Sequence, residues 1–74
     1  MEHVIAKTLL ITNVTELLAN KYKISLDEAR DRLYFSGVVS LIEDDETGLY
    51  GESALYIFSI YEEKIMDYNL NNSK

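Results

Sequence analysis

An all-α fold, a compact bundle of three to four short helices with no sheet, is what this sequence predicts, on three observations. No proline occurs in its 74 residues, so no segment is barred from helix by a missing amide or a fixed ring. Apolar residues recur at steps of three and four, the spacing of a helix face and not of a strand. Two serine-led starts, at Ser25 and Ser53, carry the side-chain oxygen that caps the first turn of a helix.

The first helix is expected from about residue 3 to 22. Val4, Ile11, Val14, Leu18 and Tyr22 lie along one stripe with Leu10 and Leu17 beside it. Ile5 and Leu9 widen the apolar surface, so the helix should meet more than one neighbour. Ile5, Thr8, Ile11, Thr12, Val14 and Thr15 are β-branched and lower its intrinsic propensity, which leaves packing to hold it.

Ser25-Leu26-Asp27-Glu28 has the spacing of a capping box, in which the serine oxygen accepts the Glu28 amide and the glutamate reaches back to the serine amide. Helix two then spans about 26 to 36. Leu26, Ala29 and Leu33 form its apolar stripe, Glu28 and Arg32 fall at the favourable i,i+4 spacing, and Gly37 offers a left-handed stop. Val38 to Ile42 is a short apolar run assigned to a brief third helix. Asp44, Asp45, Thr47 and Gly48 are turn formers, and Gly51 is expected to take a backbone conformation closed to other residues. Ser53 caps the last helix, whose stripe is Phe58, Tyr61, Ile65 and Tyr68 with Ile57 and Ile60 flanking it. Residues 68–74 read as a frayed tail on a single domain covering 1–74.

Charge divides the chain at Glu43. Residues 1–42 balance five acids (Glu2, Glu16, Asp27, Glu28, Asp31) against five bases (Lys7, Lys21, Lys23, Arg30, Arg32), so the whole net charge of -6 comes from the second part. A sequence pI near 4.5 argues against phosphate backbones and anionic membranes, both of which select basic patches. The apolar stretch from Thr8 to Leu18 is interrupted by Asn13 and Glu16 and is too short to cross a bilayer. With no cysteine and no secretion signal, the expected location is the cytoplasm.

A chain this small has little core to rely on. By mass scaling, folding hides roughly 7,700 Å², about 4,400 Å² of it apolar. At about 25 cal/mol per Å² this stabilises by roughly 110 kcal/mol, which matches an ordering cost of about 1.5 kcal/mol per residue. Self-association or partner burial is the most available further source of stability.

The residues offer little chemistry. Placing Gly48 at the glycine of a twelve-residue calcium loop puts Glu43 first, Asp45 third, Thr47 fifth and Ala54 last, where a bidentate carboxylate is required. His3 is the lone histidine and lies where chain ends usually fray, which disfavours a histidine-assisted nucleophile or a histidine metal site. Gly48-Leu49-Tyr50-Gly51 has neither the glycine count nor the lysine of a phosphate-cradling loop. The reading is therefore of a non-enzymatic protein with no metal and no cofactor.

Six tyrosines in so short a chain point elsewhere. Phe58 and Tyr61 belong with the core, whereas Tyr34, Tyr50 and Tyr56 fall off the main stripes or in the loop, where a ring either lies flat over the core edge or anchors an interface. The expected contact residues for a protein partner or a second copy are Leu49, Tyr50 and Tyr56, with Glu43, Asp44, Asp45 and Glu46 steering a basic partner. The alternative is a dimeric DNA-binding regulator using Lys21, Lys23, Arg30 and Arg32. Asp27, Glu28 and Asp31 are interleaved with that basic set, and the helix after Gly37 is apolar and followed by four acids, the wrong sign for phosphate.

At Ile24-Ser25-Leu26-Asp27-Glu28-Ala29, and again at Glu46-Thr47-Gly48-Leu49-Tyr50 with Glu52-Ser53 and Tyr56, the chain resembles a group of small uncharacterised bacterial proteins. The resemblance covers roughly residues 22 to 63. It implies a capped short helix, a loop with a Thr-Gly-Leu-Tyr signature and a closing helix rich in tyrosine and glutamate. Some similar proteins sit in gene clusters that look like toxin and antitoxin modules, which implies a partner-binding or neutralising role. Where the group often has proline after the cap serine this chain has Ala54, and the cap survives because serine alone starts the turn.

Overall fold

The computed structural model describes residues 3–72, with side chains described through Tyr68. The fold is all-α. Helix α1 (Val4–Tyr22) is followed by α2 (Leu26–Ser36) and α3 (Val38–Glu43), then by two single 3-10 turns at Asp45–Thr47 and Leu49–Gly51, and last by α4 (Ala54–Asn72). Among the described residues there is no strand.

Local chemistry sets each boundary. α1 stops where Lys23 turns left-handed and its amide returns to the Ala19 carbonyl. Ser25 accepts the Glu28 amide at 3.0 Å, one half of the expected capping box. The other half does not form: the Glu28 carboxylate accepts instead from Arg32 at 2.6 Å, because a bond between two charged groups outweighs one to a neutral amide. Gly37, at φ 88, ends α2 and opens α3 in a single residue. Ser36 stitches that junction, its hydroxyl donating to the Leu33 carbonyl and accepting the Val38 amide. Ser53 accepts the Tyr56 amide at 3.1 Å and starts α4.

Gly51 does not need the special conformation expected of it. The left-handed position is Gly48, at φ 68, whereas Gly51 closes a 3-10 turn with an ordinary φ. The cause lies in Thr47, whose single hydroxyl proton is shared between the carbonyls of Leu41 and Asp44 while its oxygen accepts the Leu49 amide, which fixes the reversal at the next residue.

All four helices supply the core. Val14, Leu18, Leu33, Val38, Ile42 and Ile57 are fully buried, and Leu10, Ala19, Ala29, Val39 and Tyr61 complete the cluster. Each such large side chain removed from water contributes about 1.5–3 kcal/mol before ordering costs. Thr15 is buried with them, its hydroxyl satisfied by donation to the Ile11 carbonyl at 2.7 Å.

The buried stripes are rotated and shortened relative to those expected. In α1 the core face runs through Leu10, Val14, Leu18 and Ala19, while Val4 and Tyr22 at its ends and Ile5 and Leu9 on its back are exposed. In α2 Leu26 is exposed, so Ala29 and Leu33 alone carry the stripe. In α4 Ile57 and Tyr61 are buried, Phe58, Ile60 and Ile65 pack partly against them, and Tyr68 is exposed. The segment expected to fray is helical as far as Asn72, and residues 73–74 lie outside the described residues. That long last helix draws the molecule out to 42 × 26 × 17 Å.

Candidate protein-interaction surface

Three of the residues expected to meet a partner, Glu43, Asp45 and Tyr50, also fasten the acidic loop to α1. The Lys7 ammonium donates to the Glu43 carbonyl at 3.0 Å and pairs with the Asp45 carboxylate. That hydrogen bond holds the Asp45 carboxyl below its ordinary value of 3.8. Lys7 also lies 5.7 Å from the centre of the Tyr50 ring, whose other contact is a stack on His3 at 4.1 Å between centroids. Leu49 and Tyr50 are half-buried against the core. Asp44 is turned inward on its own loop, its carboxylate accepting the Glu46 amide at 3.0 Å. Of the seven residues, Glu43, Glu46 and Tyr56 are exposed and, among the described residues, make no side-chain ion pair or ring contact.

Three of the four bases considered for DNA are engaged in the same way, Lys23 being the exception among the described residues. Lys21 pairs with Glu62, Arg30 with Asp27 and Arg32 with Glu28. Glu62 is the meeting point of α1 and α4, accepting from both Lys21 and the Tyr22 hydroxyl, the latter at 2.9 Å. These two hydrogen bonds lower the Glu62 carboxyl below 4.5 and raise Lys21 and Tyr22 above their ordinary values. The Lys21 ammonium also lies 5.5 Å from the centre of the Phe58 ring, a placement that favours its charged form.

A different surface is open. Between the end of α2 and the second half of α4 lies a groove of about 560 Å³ lined by Phe35, Ser36, Lys64, Ile65, Asp67 and Tyr68. Its geometry follows from helix length. α2 ends at Ser36 while α4 runs on past Ile65 for about two turns, so the core-facing side of α4 loses its cover there. Tyr68, three residues after Ile65 on the same side, is 55% exposed for that reason. Phe35 is 82% exposed, because it stands two positions after Leu33 and so about 200° around α2 from the buried stripe. Lys64 and Asp67 border the groove and form no ion pair among the described residues.

Phe35 is the residue that sequence reasoning missed. The signal was present, as a large aromatic far from the Ala29 and Leu33 stripe of a short helix. Ile65 and Tyr68 were assigned to the core because a stripe cannot show where the opposing helix ends.

Among the described residues, no group of three or more His, Cys, Asp or Glu side chains is placed to hold a metal ion. No helix there is long and apolar enough to cross a membrane. Comparison with protein-family models, with curated proteins and with solved structures finds no match.

Proposed function

We propose that this chain is a non-enzymatic protein-interaction module of the cytoplasm, and that it binds another protein or its own copy through the groove between α2 and α4. One observation carries the reading: Phe35 and Tyr68 are large aromatics left in water on either side of the same hollow. Scattered exposed apolar residues are ordinary, but two aromatics flanking a concave apolar floor are the composition of an interface centre. The exposed acids Glu43 and Glu46 would add attraction for a basic partner, as in an antitoxin-like neutralising complex of the kind the resemblance implies.

The test is retention of protein on the immobilised chain, with Phe35→Asp as the control. Phe35 touches water over most of its surface, so the substitution should leave helix content by circular dichroism unchanged. Retention, whether of another protein or of untagged copies of this one, is expected with the native chain and lost with Phe35→Asp. Retention that Phe35→Asp leaves intact overturns the reading.

A further inference from the structure

We infer that the occupant of the groove is a second copy of this chain, docked about a two-fold axis with the two α4 helices antiparallel. The inference rests on the groove reading above and names its partner.

An isologous interface requires one patch to hold both halves of every contact. This patch does. Phe35 projects from the end of α2, and the hollow beside it is floored by Ile65 and walled by Tyr68, so each copy offers a knob and a place to receive one. The charges obey the same rule. Lys64 and Asp67 are three residues apart on α4, opposite in sign, and unpaired within the chain among the described residues. An axis passing between Ile65 and Met66 sets Lys64 against the partner's Asp67, and the same operation repeats the pair on the other side. A one-residue slip of the helices breaks both pairs, so they fix register while the aromatics supply affinity.

Area is compatible with this. An interface of ordinary size takes about 800 Å² from each partner, and the chain exposes 5222 Å² in all. A globule of this mass is expected to expose about 4,650 Å². The excess is of the order that one such contact would cover.

The experiment is sedimentation equilibrium at about 0.15 M salt on the native chain, Phe35→Ala, Lys64→Asp, Asp67→Lys, and an equimolar mixture of the last two. All three positions are exposed, and circular dichroism checks that each variant folds. The native chain is expected to dimerise, with Phe35→Ala weakening the dimer about a hundredfold because the ring is lost twice. Two-fold pairing puts like charges together in each charge variant alone and opposite charges together in the mixed dimer. The mixture should therefore associate about tenfold more tightly than either variant by itself. Net charge alone predicts the opposite ranking, with the Asp67→Lys homodimer tightest because that chain is least negative. A mixture no tighter than Asp67→Lys alone overturns the antiparallel pairing. A native chain that stays monomeric up to about 1 mM, the millimolar end of the affinity scale, overturns the second copy as occupant. The groove reading then survives only if Phe35→Asp still abolishes retention of another protein. A dimer that Phe35→Ala leaves unchanged sinks both.

Discussion

Two glycines in one loop separate backbone demand from side-chain space. At Gly48 and at Gly51 alike, an added Cβ would meet nothing within 4 Å, and the difference is φ, which is +68° at Gly48 alone. Gly48→Ala should therefore lower stability by about 1–2 kcal/mol, the cost of holding an L-residue left-handed. Gly51→Ala should raise it by about 0.4–1 kcal/mol by narrowing the unfolded ensemble at a site where alanine fits. Urea denaturation of the two variants gives the comparison directly, and shifts of the same sign would contradict this account of the loop. Sequence alone favoured Gly51 as the special position. What it lacked was the bonding of Thr47, whose hydroxyl reaches back to Leu41 and forward to Leu49 and so fixes the reversal at Gly48.

At the scale of elements, α1 and α4 are joined at their surface by one carboxylate. Glu62 is lowered below its ordinary 4.5 chiefly by the hydrogen bond from Lys21 and then by that from Tyr22. A carboxyl depressed on folding stabilises above its unfolded pKa, and the contribution disappears as pH falls through the folded value. Asp45, lowered by Lys7, acts with the same sign, so the melting temperature should fall as pH drops below about 4.5. Glu62→Gln should lower the melting temperature at pH 7 by no more than a few degrees and flatten the acid limb, since Lys21 is half exposed and Glu62 partly so, and solvent screens the pair. An acid limb of unchanged steepness in thermal melts from pH 3 to 7 would show that Glu62 plays no part in it. The four helices themselves were legible, because caps and stops are local: Ser25, Gly37 and Ser53 act where the sequence places them. Which face each helix buries was only partly legible. Val4, Leu26 and Tyr68 continue apolar stripes beyond the reach of the neighbouring helices, and the length of a neighbour is not written in a stripe. The same limit hid the groove, whereas Tyr50 takes one of the two places expected of it, half-buried with Leu49 at the edge of the core.

For the molecule as a whole, net charge and apolar surface act in opposite directions, and salt decides between them. Each copy carries -6 at pH 7, so two copies repel over a range set by the Debye length, about 30 Å at 0.01 M and about 3 Å at 1 M. The Lys64 and Asp67 pairs at the rim are solvent-exposed and contribute little to affinity, so they do not offset repulsion between whole molecules. Raising salt from about 0.02 M to about 0.5 M should consequently tighten the self-association by roughly tenfold, as screening removes a Coulomb cost of order 1–2 kcal/mol. A basic protein held in the same groove would respond in reverse, since screening removes an attraction. Dissociation constants from sedimentation at the two salt concentrations distinguish the cases. A dimer that weakens with salt would mean that local pairs, not the net charge of the chain, govern its assembly, whereas one that tightens shows that uncharged contact holds two like-charged copies together against their repulsion.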